Sequence, residues 1–188
     1  MQRPVAFPDP RIPEGFESFL RPMITKALLG TSLGLFLAAC ATSGLHPLLL
    51  DGHELHVSLA PKQLDGANHG VPAGVRRNPH FSTDPEVVES IARNASQGQL
   101  GGDGISAALY ALYQGESELG IYGLEAAPTV DADRLEGILR GIWAYNVGKD
   151  LARVHRGGPV FVVVWNDGVS PACWQAVNDC LVARLTAR

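Results

Sequence analysis

Val160-Phe161-Val162-Val163-Val164-Trp165 is the stretch that decides the fold. Six consecutive apolar residues, four of them β-branched and two aromatic, predict a strand with both faces covered, hence a central one. Outward from it, Gly157-Gly158 predicts a turn and Leu151 to Arg156 an antiparallel partner, so that 151–165 forms a hairpin. On the other side Asn166-Asp167-Gly168 turns the chain into a last helix. Ser170 is placed to cap that helix, Pro171 takes its first position, and Trp174, Val177, Leu181 and Leu185 line its inner side.

The same unit is predicted once more upstream. Ile105 to Tyr113 and Glu118 to Glu125, joined by Gln114-Gly115-Glu116-Ser117, read as a first hairpin, with a helix as the alternative for the Ala- and Leu-rich 105–113. Asp131 and Asp133 load the N-terminus of the next helix, and Leu135, Ile138, Leu139, Ile142 and Trp143 follow its period to an end near 146–148. Before the first hairpin, Thr83 and Glu86 form a capping box with Pro85 in the first turn, and Val87, Val88, Ile91 and Ala95 make an apolar stripe up to about Ser96. The order is helix, hairpin, helix, hairpin, helix. It predicts an α+β fold: a two-layer sandwich of an antiparallel sheet of about four strands, with about three helices on one face, over residues 81–188.

Residues 23–39 are of another kind. Lys26 precedes an uncharged run from Ala27 to Ala39, too short to span a bilayer as a permanent helix. The run closes on Leu37-Ala38-Ala39-Cys40, which resembles the lipobox of bacterial lipoproteins. The resemblance implies that the chain is cut before Cys40 and that Cys40 is acylated, anchoring the downstream domain to a membrane. Ala41 in place of Asp implies the periplasmic face of the outer membrane, with the inner membrane as the alternative. Pro-rich residues 1–22 show no helical or strand period and are set aside as a misassigned start ahead of Met23 or an unfolded extension. Residues 40–80, rich in Gly, Pro, Asn and His, read as a flexible tether with one alternating segment, Glu54 to Leu59.

Charge narrows the partners. Fifteen basic against nineteen acidic residues give a net charge of −4 with no basic run, which argues against nucleic acid and against electrostatic binding to anionic lipid. Membrane attachment therefore falls to Cys40. Beside it, Cys173 and Cys180 stand seven residues apart on one predicted helix, about 10 Å along its axis. A disulfide needs Cα atoms within about 7 Å. Both are expected as buried thiols.

Few residues suggest chemistry. Cys173 lies in the first turn of a helix, where a thiolate is favoured, and His155 on the neighbouring hairpin is a candidate base. Ser170, Asp167 and His155 carry the residue types of a hydrolase triad, but no Gly-x-Ser-x-Gly elbow surrounds the serine. Asp51, His53 and His56, with His46, are weak candidates for a metal site without a recognised spacing. Gly101-Gly102-Asp103-Gly104 lacks the Lys-Ser/Thr of a P-loop. No cofactor is implied. These readings favour a non-catalytic binding or assembly role at the cell envelope with a protein partner, for instance by strand addition to an open Glu118–Glu125 edge. The alternatives are a small thiol-based or hydrolytic enzyme using Cys173 and His155, and a metal or ligand sensor.

Overall fold

In a computed structural model, contacts divide the chain into Met1–Thr42 and Ser43–Arg188. The structure describes residues 44–51, 59–64, 70–143 and 151–187, all in the second unit. A 3-10 turn at His46–Leu48 comes first. It is followed by β1 (Ala60–Pro61), β2 (His80–Ser82), α1 (Pro85–Ala95), β3 (Ile105–Gln114), β4 (Glu118–Ala126), α2 (Ala132–Ile142), β5 (Ala152–Gly157), β6 (Val160–Asp167) and α3 (Pro171–Thr186). The fold is α+β, an open antiparallel sheet with three helices, as the pattern predicts.

The strand count is larger than four. The sheet runs β1-β3-β4-β6-β5, and β2 pairs with β3 beside β1. β1 comes from residues expected to be a tether, and β2 straddles the expected boundary at 80/81. Asn78 joins them: its side-chain oxygen accepts the Leu112 N–H at 2.8 Å, and its amide donates to the Lys62 carbonyl at 2.8 Å. A side-chain amide thus continues the pairing along the outer edge of β3 where the backbone leaves it. Earlier in the same stretch Leu45, Leu48, Leu50 and Leu59 are buried. The described parts of 40–80 are therefore part of the fold, because four leucines supply apolar surface that a solvated spacer would waste. The segment Glu54 to Leu59 lies, except for Leu59, outside the described residues.

Val160 to Val164 explains how the layers divide. Val160, Val162 and Val164 pack with Trp174, Val177, Leu181 and Leu185 of α3 and with Leu45 and Leu48. Phe161 and Val163 pack on the other side with Val88, Ile91 and Ala95 of α1 and Leu135, Leu139 and Ile142 of α2. The helices are thus split between the two faces, where the sequence pattern put them on one. A strand apolar on both sides requires this. The 105–113 alternative resolves to strand for the same reason: Leu109 and Tyr113 serve one cluster, Tyr110 and Leu112 the other.

The caps mostly follow expectation. Asp131 accepts the N–H groups of Asp133 and Arg134, both at 3.1 Å, and Ser170 Oγ accepts that of Cys173 at 3.3 Å. The α1 cap is Asp84 rather than Thr83; its carboxylate accepts from Glu86 at 3.0 Å and Val87 at 3.3 Å. Pro85 at the first helical position forces the residue before it into an extended conformation, and that residue becomes the cap. α2 is described to Ile142, with Trp143 as its C-cap; the expected end at 146–148 lies outside the described residues.

Candidate functional site

The sequence candidates meet, in part, where α3 crosses β5. β5 alternates: Ala152 and Val154 point into the α1/α2 side, while His155 turns to α3. There His155 Nε2 lies 2.6 Å from Asn178 Oδ1. Asn178 is 1% exposed and its own amide donates to the Trp174 carbonyl at 2.7 Å. With the amide nitrogen so committed, Asn178 presents its oxygen, and His155 donates from Nε2–H. Burial lowers the imidazole pKa, the Asn178 bond opposes this, and Arg153 and Arg140 add to the lowering. His155 is therefore a neutral clasp between strand and helix at neutral pH.

That clasp takes the base away from the proposed nucleophile. Asn178 follows Cys173 by five residues, about 7.5 Å along the helix. Cys173 is 3% exposed, and burial raises its thiol pKa, the opposite of an activated cysteine. The helix N-terminus next to it is already served by Ser170. Cys173 and Cys180 are both thiols, Cys173 buried and Cys180 half-buried where burial of both is expected.

The remaining constellations are not assembled either. His155 pairs with Val162 and Asp167 ends the same β6 five residues on, roughly 17 Å away at strand rise, so Ser170, Asp167 and His155 form no triad. His46 packs against Phe81 with ring centroids 4.5 Å apart, and Asp51 is exposed. His53 and His56 lie outside the described residues, as does Cys40. Among the described residues no group of three His, Cys, Asp or Glu side chains is placed to hold a metal ion. Gly101 to Gly104 runs straight into β3. Gly104, at φ +80°, packs against the Val130 side chain, and its carbonyl accepts from Ala127 at 2.8 Å. The loop therefore pins β3 to the β4–α2 connection.

What the structure does offer is an edge. β4, expected to be open over Glu118–Glu125, is paired on both sides, by β3 and by β6. The error has a simple cause: two sequential hairpins do not say which of their strands become neighbours. Here β6, the second strand of its hairpin, pairs with β4 and leaves β5 outermost. Among the described residues no strand pairs with the outer side of β5. Its charged side chains turn over the two faces. Arg153 lies over the Trp174 ring at 5.8 Å, and Arg156 bonds Asp133 at 2.6 Å and Glu136 at 3.1 Å on α2. Arg140 and Arg156 hold the Glu136 carboxyl below its ordinary value, against burial.

Asn178 and Arg153 were not singled out by the sequence pattern. The available signal for Asn178 was its place one turn after Trp174, on the inner stripe of α3. Comparison with protein-family models, with curated proteins and with solved structures finds no match.

Proposed function

We propose that the chain is a lipid-anchored, non-catalytic protein of the bacterial cell envelope, held at the periplasmic face of the outer membrane through Cys40, and that it binds a partner strand along β5. Leu37-Ala38-Ala39-Cys40 and the short uncharged run before it support the anchor. The observation that carries the binding role is the outer edge of Ala152–Gly157, with which no strand pairs among the described residues. A partner strand gains main-chain hydrogen bonds there and meets Arg153 and His155 on one face, Val154 and Arg156 on the other. Arg156 is already matched by Asp133 and Glu136 on α2, so of the two arginines Arg153 is the one that a carboxylate on the incoming strand suits. A second copy of β5 suits them poorly, since antiparallel self-pairing sets basic residues against each other.

The buried thiol and the committed imidazole support binding over catalysis at Cys173 and His155. The test is amide exchange on the purified protein and on the protein recovered with its envelope partner. Protection gained across 152–157 is the expected result. Unchanged exchange in β5, with protection appearing elsewhere, refutes strand addition.

A further inference from the structure

We infer that the end of the domain formed by Gly44, the β5–β6 turn and the last turn of α3 faces the bilayer, and that the 115–117 turn points away from it. This rests on the lipid-anchor reading. Gly44 lines a groove of about 400 Å³ together with Glu125, Gly158, Pro159, Leu185 and Thr186. After Gly44 the chain has no slack. Leu45 is fully buried beside Gly123, and Leu48 is fully buried. Leu50 donates its N–H to the Tyr113 hydroxyl at 3.1 Å, and that hydroxyl donates back to the Leu50 carbonyl at 3.2 Å. The segment 44–50 is thereby fastened along the α3 face of the sheet.

Covalent geometry does the rest. Cys40 precedes Gly44 by four residues, and four extended residues span at most about 14 Å. An acylated cysteine sits at the membrane surface, so Gly44 stays within that distance of it. A forty-residue flexible tether would instead have allowed roughly 35 Å. The reach of about 14 Å is close to the radius of gyration of roughly 15 Å expected for a domain of this length. Free tumbling is therefore restricted. β6, from Val160 beside the groove to Asp167, carries the chain roughly 25 Å to the other end of the sheet. There Asp167 pairs with Glu118 and the 115–117 turn closes the β3–β4 hairpin. That end stands farthest from the membrane when the groove at Gly44 is seated on it.

The groove suits an interface with lipid. Of its apolar lining Pro159 is exposed while Val160 and Leu185 are buried, the glycines add no side chain, and Glu125 is the one charged residue among those lining it. The partner is the lipid surface itself. β5 then runs toward the membrane, from Ala152 at the far end to Gly157 at the groove, its edge open to a strand arriving from the periplasmic side.

The experiment places a photo-crosslinking amino acid at Thr186, at Pro159 or at Glu116, all exposed, in the full-length protein incorporated into phosphatidylethanolamine–phosphatidylglycerol vesicles. Lipid adducts at 186 and 159 should exceed those at 116 several-fold. Inserting about twenty Gly/Ser residues after Ala41 should cut the adducts at 186 several-fold while leaving acylation intact, because the reach then grows past the size of the domain. Mass spectrometry of Cys40 in the same preparations separates the two readings. Equal adducts at 186 and 116 on acylated protein overturn the orientation alone, and undiminished adducts after the insertion overturn the tether reasoning. A Cys40 without acyl groups overturns the anchor and the orientation with it.

Discussion

Gly157→Ala tests the packing of α3 on β5 at one atom. A Cβ at position 157 stands 2.6 Å from the main-chain oxygen of Leu185 and 2.8 Å from its Cβ. Favourable contacts lie at about 3.5 Å or beyond, so the last turn of α3 must lift by roughly 0.9 Å. The obstacle is backbone, and no rotamer change relieves it. Overpacking of this kind costs about 1–3 kcal/mol, against about 0.4–1 kcal/mol gained from the stiffer unfolded chain. The net loss is about 1–2 kcal/mol, which for a domain of this size lowers Tm by roughly 2–8 °C. Urea titration followed by circular dichroism should show a lower midpoint with an unchanged slope. Adding Leu185→Ala should not restore stability, since the oxygen remains. A Gly157→Ala protein with the parent's midpoint, or one rescued by trimming Leu185, refutes this account of the contact.

Three further outcomes are expected. His155 has a folded pKa lowered below its unfolded value of about 6.5, so the unfolded chain binds more protons below that pH. Stability should be full above about pH 6.5 and fall as pH drops through the folded value; His155→Gln should flatten this acid limb to the parts due to His80, also lowered by burial, and, at lower pH, to Glu136, held down by Arg140 and Arg156, and an unchanged limb by denaturation against pH counts against the clasp. Cys173 should resist thiol reagents in the native protein and react only on unfolding, while half-buried Cys180 reacts sooner; peptide mapping of the label decides, and rapid native labelling of Cys173 revives the thiol-enzyme reading. Gly137→Ala and Gly141→Ala, where a methyl meets nothing within 4 Å on α2, should each stabilise by about 0.5–1 kcal/mol, and a loss at either position in the same urea titration contradicts the described helix surface.

Much of the fold was legible because its signals are local. Asp131 and Ser170 announce their helices, and the α3 stripe from Trp174 to Leu185 is buried as its period requires. What the pattern missed depends on contacts far apart in sequence. Leu45 and Leu48 look like loop residues among glycines and prolines, and only the exposed α3 face of the sheet gives them a reason to be buried. β1 and β2 are two and three residues long, too short for alternation to register. Asn78, which stitches them to β3, reads as an ordinary turn residue before Pro79. For the site, the residue types at 155 and 173 suggested a dyad, whereas the register of α3 over β5 brings Asn178 to the imidazole. Register between a helix and a strand is a tertiary property that neither segment encodes alone.

The condition of the β5 edge bears on whether it binds a partner or merely ends the sheet. Natural sheets blunt their edges with charged side chains that repel an incoming strand. β5 carries Arg153 and Arg156, yet both are drawn off the edge. One lies over Trp174 on the α3 face, and the other is tied to Asp133 and Glu136 on the α2 face. Exposed ion pairs of this sort add little stability, typically well under 1 kcal/mol. Their clearer consequence is positional, since they hold two cations back over the faces of the sheet. Replacing Asp133 and Glu136 together by Ala leaves Arg156 with only the Gly158 carbonyl at 3.1 Å and the Phe161 ring at 5.4 Å to hold it, so that it sweeps the edge more readily. If β5 is a docking strand, that pair of changes should weaken partner recovery while changing the denaturation midpoint little. Partner recovery that is indifferent to the release of Arg156 would move the binding surface elsewhere on the domain.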